Sequence, residues 1–252
     1  VDDDKNSPGF FIADKNFNIE VMQSEKILQI AKEEKIDGIA TMVSNLGMRT
    51  VAYVAEKLGL NAISMKSAQI ATDKKDIKNY LEKGGVPVPD GHSFNSLDEA
   101  LANMDNVVFP AIIKPADGTK GRGILVAPTM KDYEKCIKAA LDASFEKKVI
   151  VEEYIEGPTL GVECLIVDGE LKPIILTDKY NTPSPKCVTI GLTAPSKFSD
   201  EIQQRAKETA KKVAEALELK IGAAHIDMIV DKEGMPKVID VGPRLASGPV
   251  IF

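Results

Sequence analysis

The sequence has no tryptophan and only two histidines, His92 and His225, in 252 residues. Histidine-rich metal chemistry is thereby excluded, and a Ser-His-Asp site is disfavoured. Cysteine is as sparse: Cys136, Cys164 and Cys187 are widely spaced, odd in number and form no CxxC pair. They make neither a disulfide framework nor a zinc site, and they read as idle thiols in a reducing cytosol. No signal peptide is visible and no apolar run is long enough to span a membrane, so no membrane partner is expected. Positive charge is not in excess, with 32 Lys and Arg against 38 Asp and Glu and a net charge of −6. A nucleic-acid protein usually carries a basic face, so no nucleic-acid partner is expected. What is present, 44% hydrophobic and 28% charged residues, is an ordinary globular balance with length for one large domain or two modest ones.

The opening VDDDKNSPG reads as the end of a strand running into a turn, so a β–α unit is expected upstream; it also resembles a protease-tag scar. LASGPVIF at the other end stops without a closing element. Between them the pattern first alternates: helix over Ser24–Lys35, strand over 37–43 (DGIATMV), helix over 46–58, strand over 61–65 (NAISM). This βαβα order predicts a small doubly wound unit. Thr72 stands where it would cap a helix running through Leu81 and ending at Gly84-Gly85. Ser96 with Glu99 makes a capping box for a helix over 97–104. Strand 110–114, a glycine loop and strand 123–127 follow, then a helix over 130–143 and strand 148–155. Strands 160–167 and 171–176 are joined by Asp168–Glu170, and a polar loop spans 178–186. The longest helix covers 200–218, with Ile202, Ala206, Val213 and Leu217 inward. Strands 222–230 and 236–241 close the chain around the turn DKEG.

Three stretches carry chemistry. In IIKPADGTKGRGI (112–124) a strand meets a glycine loop with extra cations. A Walker A loop would need lysine where Ile124 stands, and a Rossmann fingerprint would need glycine where Val126 stands. What remains is a loop between antiparallel strands, with backbone N–H groups, Lys114, Lys120 and Arg122 facing polyphosphate. A surface hairpin with incidental charge is the competing reading. Asp227 in AHIDMIV and Asp240 in VIDVGPR lie on two strands joined by a tight hairpin, and two inward carboxylates suit magnesium. Arg244, just beyond, is able to grip an anion in bidentate fashion. VIVEEYIEGP ends an apolar strand at Glu152 and Glu153, where backbone groups and Glu152 suit an adenine edge. A solvated pair of strand-end acids and a solvated turn are the bland alternatives.

Taken in order, ATDKKDIKNYLEKGGVPVP (71–89), FPAIIKPADGTKGRGI (109–124), VIVEEYIEGP (149–158) and GAAHIDMIVDKEGMPKVIDVGPR (222–244) resemble the ATP-grasp fold. The likeness is to its carboxylate–amine ligases and to the carbamoyl-phosphate synthase large subunit. It covers roughly residues 72–244, while residues 1–71 resemble the later part of a pre-ATP-grasp domain. The implied fold class is α/β (α+β): a partial doubly wound pre-ATP-grasp domain over 1–71, lacking its first β–α unit, followed by an ATP-grasp domain over 72–252. Within the latter a mobile lid would span about 108–154.

The resemblance implies ATP and Mg2+ as cofactors, with Mn2+ as the alternative ion. Lys74 and Lys114 would contact the phosphates from opposite sides. The 117–123 loop, with Gly118, Lys120, Gly121 and Gly123, would close over the triphosphate. Glu152, Glu153, Tyr154 and Ile155 would hold adenine, and Thr159 stands at the ribose position. Asp227 and Asp240 would bind magnesium. Arg244, Lys114 and Lys179 are the catalytic candidates, Lys179 within a substrate-side loop over 175–196. Three positions depart from the family pattern: Thr159 replaces a carboxylate, Asp240 a glutamate and Gly242 an asparagine. One ion is therefore expected to be held well and a second weakly, with Glu163 helping. The implied reaction activates a carboxylate as acyl-phosphate and joins it to an amine, so both substrates are small molecules. Amino-acid ligation leads and carbamoyl-phosphate-like use of bicarbonate follows. A homodimer is the assembly the family suggests. A non-catalytic nucleotide-binding module, or a fragment of a larger synthetase, is the alternative. A nicotinamide dehydrogenase lacks its fingerprint here.

Overall fold

Three helices form near the N-terminus where apolar residues recur at helical spacing: α1 (Ser24–Glu33), α2 (Asn45–Leu58) and α3 (Met65–Ile70). The structure, a computed structural model, describes residues 1–117, 121–183 and 189–246. Within these the strands expected at 37–43 and 61–65 do not form. Among the described residues before Gly91, an isolated bridge between Asp2 and Asn18 is the one strand-like pairing. The reason is local. Val43 has φ of +66°, which breaks an extended run, and Ser44 then caps α2 by accepting from Gly47 N at 3.2 Å. In NAISM, Ser64 caps α3 by accepting from Ser67 N at 3.0 Å. A strand with no neighbour leaves its backbone unpaired, so the caps win. No doubly wound sheet is therefore present over 1–71. Instead Val51, Ala52, Ala68 and Ile70 join the same core as the large sheet.

α4 (Lys74–Lys83) is capped by Asp73, not Thr72. Asp73 Oδ1 accepts from Lys75 N at 2.8 Å and Asp76 N at 3.1 Å. The Thr72 hydroxyl is engaged elsewhere: it donates to Ala68 O at 2.8 Å and accepts from Arg49 Nε at 2.7 Å. The helix stops at Gly84, and Gly85 takes φ of +65° as the expected glycine pair requires.

A smaller unit follows, made of β1 (Gly91–Phe94), α5 (Leu97–Ala102), β2 (Ala111–Pro115), β3 (Leu125–Ala127), α6 (Met130–Ala143) and β4 (Val149–Glu153). Its sheet has the order β1-β4-β2-β3, so β1, before the lid bounds expected from sequence, belongs to it. Ser96 Oγ accepts from Glu99 N at 3.1 Å, while Glu99 Oε2 reaches back to Asn95 N at 2.7 Å, a capping box set one residue early. Ile113, Tyr133, Ile137 and Val149 fill the space between this sheet and α6.

The larger sheet comprises β5 (Thr159–Val167), β6 (Glu170–Asn181), β7 (Thr189–Thr193), β8 (Gly222–Val230) and β9 (Pro236–Gly242), in the order β7-β6-β5-β8-β9 with all neighbours antiparallel. Asp168 and Gly169, at φ of +53° and +81°, make the two-residue turn between β5 and β6. Among the described residues of the segment expected as a loop over 175–196, 175–181 and 189–193 are strand. β6 runs on to Asn181 because β7, with β-favouring Thr189 and Ile190, supplies a partner; Asp178 faces Thr193. α7 (Asp200–Ala216) lays Ala206, Ala210 and Val213 against Leu160, Val162 and Ile226. Cys136 and Cys164 are buried free thiols, and burial raises Cys164 to about 12; Cys187 lies outside the described residues. No helix among the described residues is long and apolar enough to cross a membrane.

Candidate active site

Strand alternation sorts the large sheet into two faces. Leu160, Val162, Ile226 and Met228 point to the core under α7. Gly161, Glu163, His225 and Asp227 therefore share the opposite face, and Glu163 is directly opposite His225. Asp227 is directly opposite Asp240 on β9, but Met228 pairs with Val238. Ile239 is thus the extra residue of a β-bulge, which turns Asp240 onto the face of Asp227. The Ile239 carbonyl is put to use: it accepts from Lys114 Nζ at 3.3 Å.

Every acid on this face has a cationic neighbour. Asp240 pairs with Lys74, the first residue of α4. Asp227 Oδ2 lies 2.6 Å from Lys179 Nζ. His225 stands between two carboxylates, Nδ1 at 2.6 Å from Glu163 Oε1 and Nε2 at 2.8 Å from Asp227 Oδ1. These are close charge contacts more than aligned hydrogen bonds, since Nδ1 and Asp227 Oδ1 have no partner in hydrogen-bond direction. Burial alone would lower the His225 imidazole, but Asp227 and then Glu163 raise it to about 9. Burial pushes the Asp227 carboxyl up, yet His225 and Lys179 outweigh it and hold it far below the carboxylate range.

Arg244 completes this side. Its Nε and Nη1 are buried without a hydrogen-bond partner. Burial lowers the guanidinium from its ordinary value, while Asp240, Glu163 and Asp227 act the other way; it stays charged. The guanidinium rests against the backbone of Gly242, where a Cβ would meet Cζ at 2.6 Å. Glu163, expected to help a second ion, has both oxygens engaged: Oε1 faces His225 and Oε2 accepts from Ala246 N at 3.3 Å.

The small sheet and α4 form the other wall. Lys114 Nζ donates to Glu152 Oε2 at 2.6 Å, and Lys78 Nζ donates to Glu152 Oε1 at 3.2 Å and to the Pro89 carbonyl. Burial pushes the Glu152 carboxyl up, but the charges of Lys114 and Lys78 prevail and its pKa is lowered. Each oxygen of Glu152 thus already accepts from a lysine, and an adenine amine would share the carboxylate with Lys114 and Lys78. Glu153 Oε1 accepts from Lys237 Nζ at 2.8 Å and Asp90 N at 3.1 Å, and its N–H donates to Asp90 O at 2.8 Å. Tyr154 and Ile155, half-buried, follow the end of β4. The Thr159 hydroxyl is turned into its own sheet, donating to Lys179 O at 3.1 Å and accepting from Asn181 Nδ2 at 2.8 Å. Gly121 and Gly123 take φ of +71° and +78°; Gly118 and Lys120 lie outside the described residues.

Lys74, Lys78, Lys114, Glu152 and Asp240 line one cleft between α4 and the two sheets, over an apolar floor that includes Val88 and Ile150. Among the described residues no three His, Cys, Asp or Glu side chains are grouped to hold an ion. Asp227 and Asp240 still fit magnesium, because one or two carboxylates suffice when phosphate oxygens complete the shell. Asp227 Oδ1, held by the His225 charge and not by an aligned hydrogen bond, and the Arg244 N–H groups without a hydrogen-bond partner are groups that a cation and an anion would satisfy. Two members were missed in the sequence. His225 was detectable by strand alternation, two residues before Asp227, and Lys78 by helical spacing, four residues after Lys74.

A family model for the carbamoyl-phosphate synthase L chain, ATP binding domain, matches residues 73–250. Among solved structures the chain is similar to the L-amino acid ligase from Bacillus licheniformis, at 24% identity and a TM-score of 0.76 over 88% of this chain and 52% of that one. It is also similar to the biotin carboxylase–βγ-ATP complex from Campylobacter jejuni, at 22% and 0.79 over 91% and 54%. The N5-carboxyaminoimidazole ribonucleotide synthetase from Thermotoga maritima gives 23% and 0.74 over 96% and 61%. At such identities the likeness is one of fold, and the chain spans little more than half the length of these structures.

Proposed function

The chain belongs to the family of the carbamoyl-phosphate synthase L chain ATP-binding domain, an ATP-grasp fold, and from that premise we propose that it is a magnesium-dependent ATP ligase joining a carboxylate to an amine. The observation that carries this reading is the cross-strand pair Asp227–Asp240, flanked by Lys74, Lys114, Lys179 and Arg244. Cations from α4, β2, β6 and the end of β9 converge on two carboxylates, an arrangement suited to polyphosphate with a metal ion.

Asp227 and Asp240 would hold magnesium, which when bound neutralises phosphate oxygens. Lys74 and Lys114 bind the triphosphate. A substrate carboxylate oxygen attacks the γ-phosphorus; a P–O bond forms, the β–γ bridging bond breaks, and ADP leaves. Arg244 offers its Nε–H and Nη1–H to the acyl-phosphate so formed. An amine nitrogen then attacks the acyl carbon, phosphate departs, and the amine sheds a proton. Lys179, paired with Asp227, lies on the substrate side. An amino acid is the favoured acid and bicarbonate the second choice. A nucleotide-binding module without turnover is the competing reading, favoured by the engagement of every acid with a protein cation.

The test is ADP release with Mg-ATP, hydroxylamine and pooled carboxylates, bicarbonate included. Hydroxylamine traps an acyl-phosphate as hydroxamate. ADP plus hydroxamate with one pool supports the ligase. No ADP with any pool, while ATP still raises the melting temperature, would point to the binding module or to a fragment of a larger synthetase.

A further inference from the structure

α4 sets two lysines one turn apart, and they serve different sheets. Lys74 pairs with Asp240 of the large sheet, and Lys78 with Glu152 of the small one. Lys78 is a costly residue to have here. It is buried, and buried lysines are rare unless paired. Its partners are Glu152 Oε1, the Pro89 carbonyl and, at 3.4 Å, Glu82. Glu152 is itself shared, because its other oxygen holds Lys114 at 2.6 Å.

Charge decides what this sharing does. A buried Lys114–Glu152 pair alone is neutral and offers little to a phosphate. With Lys78 added, the three side chains carry one net positive charge toward the cleft they line, while Glu82, 3.4 Å from Lys78, is solvent-exposed and lies outside that lining. An ammonium has three donors. Lys114 places one on Glu152 and one on the Ile239 carbonyl, which leaves one for a ligand. Glu152 divided between two lysines holds Lys114 in place without cancelling its charge.

Building on the proposed function, we propose that Lys78 is a positioning residue for nucleotide binding: by sharing Glu152 it keeps Lys114 electropositive toward the ATP phosphates. Lys78 itself need not touch the nucleotide. Without Lys78, Glu152 closes on Lys114 alone and the pair turns neutral. Removing the charge of Glu152 as well returns the positive charge to Lys114.

Calorimetric titration with Mg-AMPPNP tests this on the full chain. Wild type must bind first; if it does not, the proposed function fails and not this inference. Given binding, Lys78→Met is expected to weaken affinity about tenfold, and Lys78→Met/Glu152→Gln to recover most of that loss. Unchanged affinity in Lys78→Met, or a double variant as weak as the single one, would overturn the proposal; the second result would mean a merely structural lysine. If Lys78→Met does not fold, Glu152→Gln alone decides. It is expected to bind at least as tightly as wild type, although less stable to heat. A tenfold loss there would instead make Glu152 a direct nucleotide contact and sink the proposal.

Discussion

His225 holds its charge because two acids flank it, and that fixes how the protein responds to pH. Its imidazole is raised from the ordinary 6.5 to about 9 by Asp227 and Glu163. A histidine raised on folding adds stability that is fully present below about pH 6.5 and is lost as pH climbs through about 9. The ligand-free protein should therefore melt at progressively lower temperature between those values, with a loss on the order of 3 kcal/mol. His225→Gln should flatten that slope. Melting curves at half-unit pH intervals measure both, and an equal slope in the variant would assign it to another group. Gly161 shows how tightly the ring is seated: a Cβ there would lie 3.2 Å from His225 Cε1.

Among the elements, α4 carries the most consequence for its length. Its N-cap, Asp73, fixes the first turn in which Lys74 stands. Asp73→Ala should cost about 1 kcal/mol of stability and also weaken nucleotide binding, since Lys74 loses its framing. Ser96→Ala, at the cap of α5, should cost a similar amount with nucleotide affinity intact. Thermal melts paired with ligand titrations separate the two, and equal ligand affinity in both variants would detach α4 from the site. The elements also show what was legible. The β8–β9 hairpin follows from alternating apolar residues and a turn, but the facing of Asp227 and Asp240 depends on the bulge at Ile239, which alternation alone does not give. The β6–β7 hairpin was not legible, because polar residues fill the strand expected as loop. Val43 and Ser64 defeated the N-terminal strands: short apolar runs look alike whether they pair or lead into a capped helix. His225 and Lys78 are legible as positions, by alternation and by helical spacing, but the Glu163 and Glu152 that give them their surroundings are remote in sequence and reach them only in the fold.

For the whole molecule, the boundary expected at residue 71 does not divide the core. Met48, Val51, Ala52, Ala68 and Ile70 share one cluster with Leu160, Val213 and Ile226. Removing residues 1–71 should expose that apolar surface and leave a piece that aggregates, each lost large side chain costing about 2–5 kcal/mol. Expression of 72–252 checks this; a soluble piece with one cooperative melt would establish two independent domains. The two sheets are tied as well, by Lys237 to Glu153 and by Lys114 to the Ile239 carbonyl. The last tie has an evolutionary side. Its acceptor is main chain, so the side chain at position 239 is free to drift across related sequences without loosening Lys114. Chain length there is not free: without the bulged residue Asp240 would still fall opposite Asp227 by plain alternation, but the carbonyl that holds Lys114 would be gone. Related sequences should therefore vary in the identity of that residue while keeping the spacing around it.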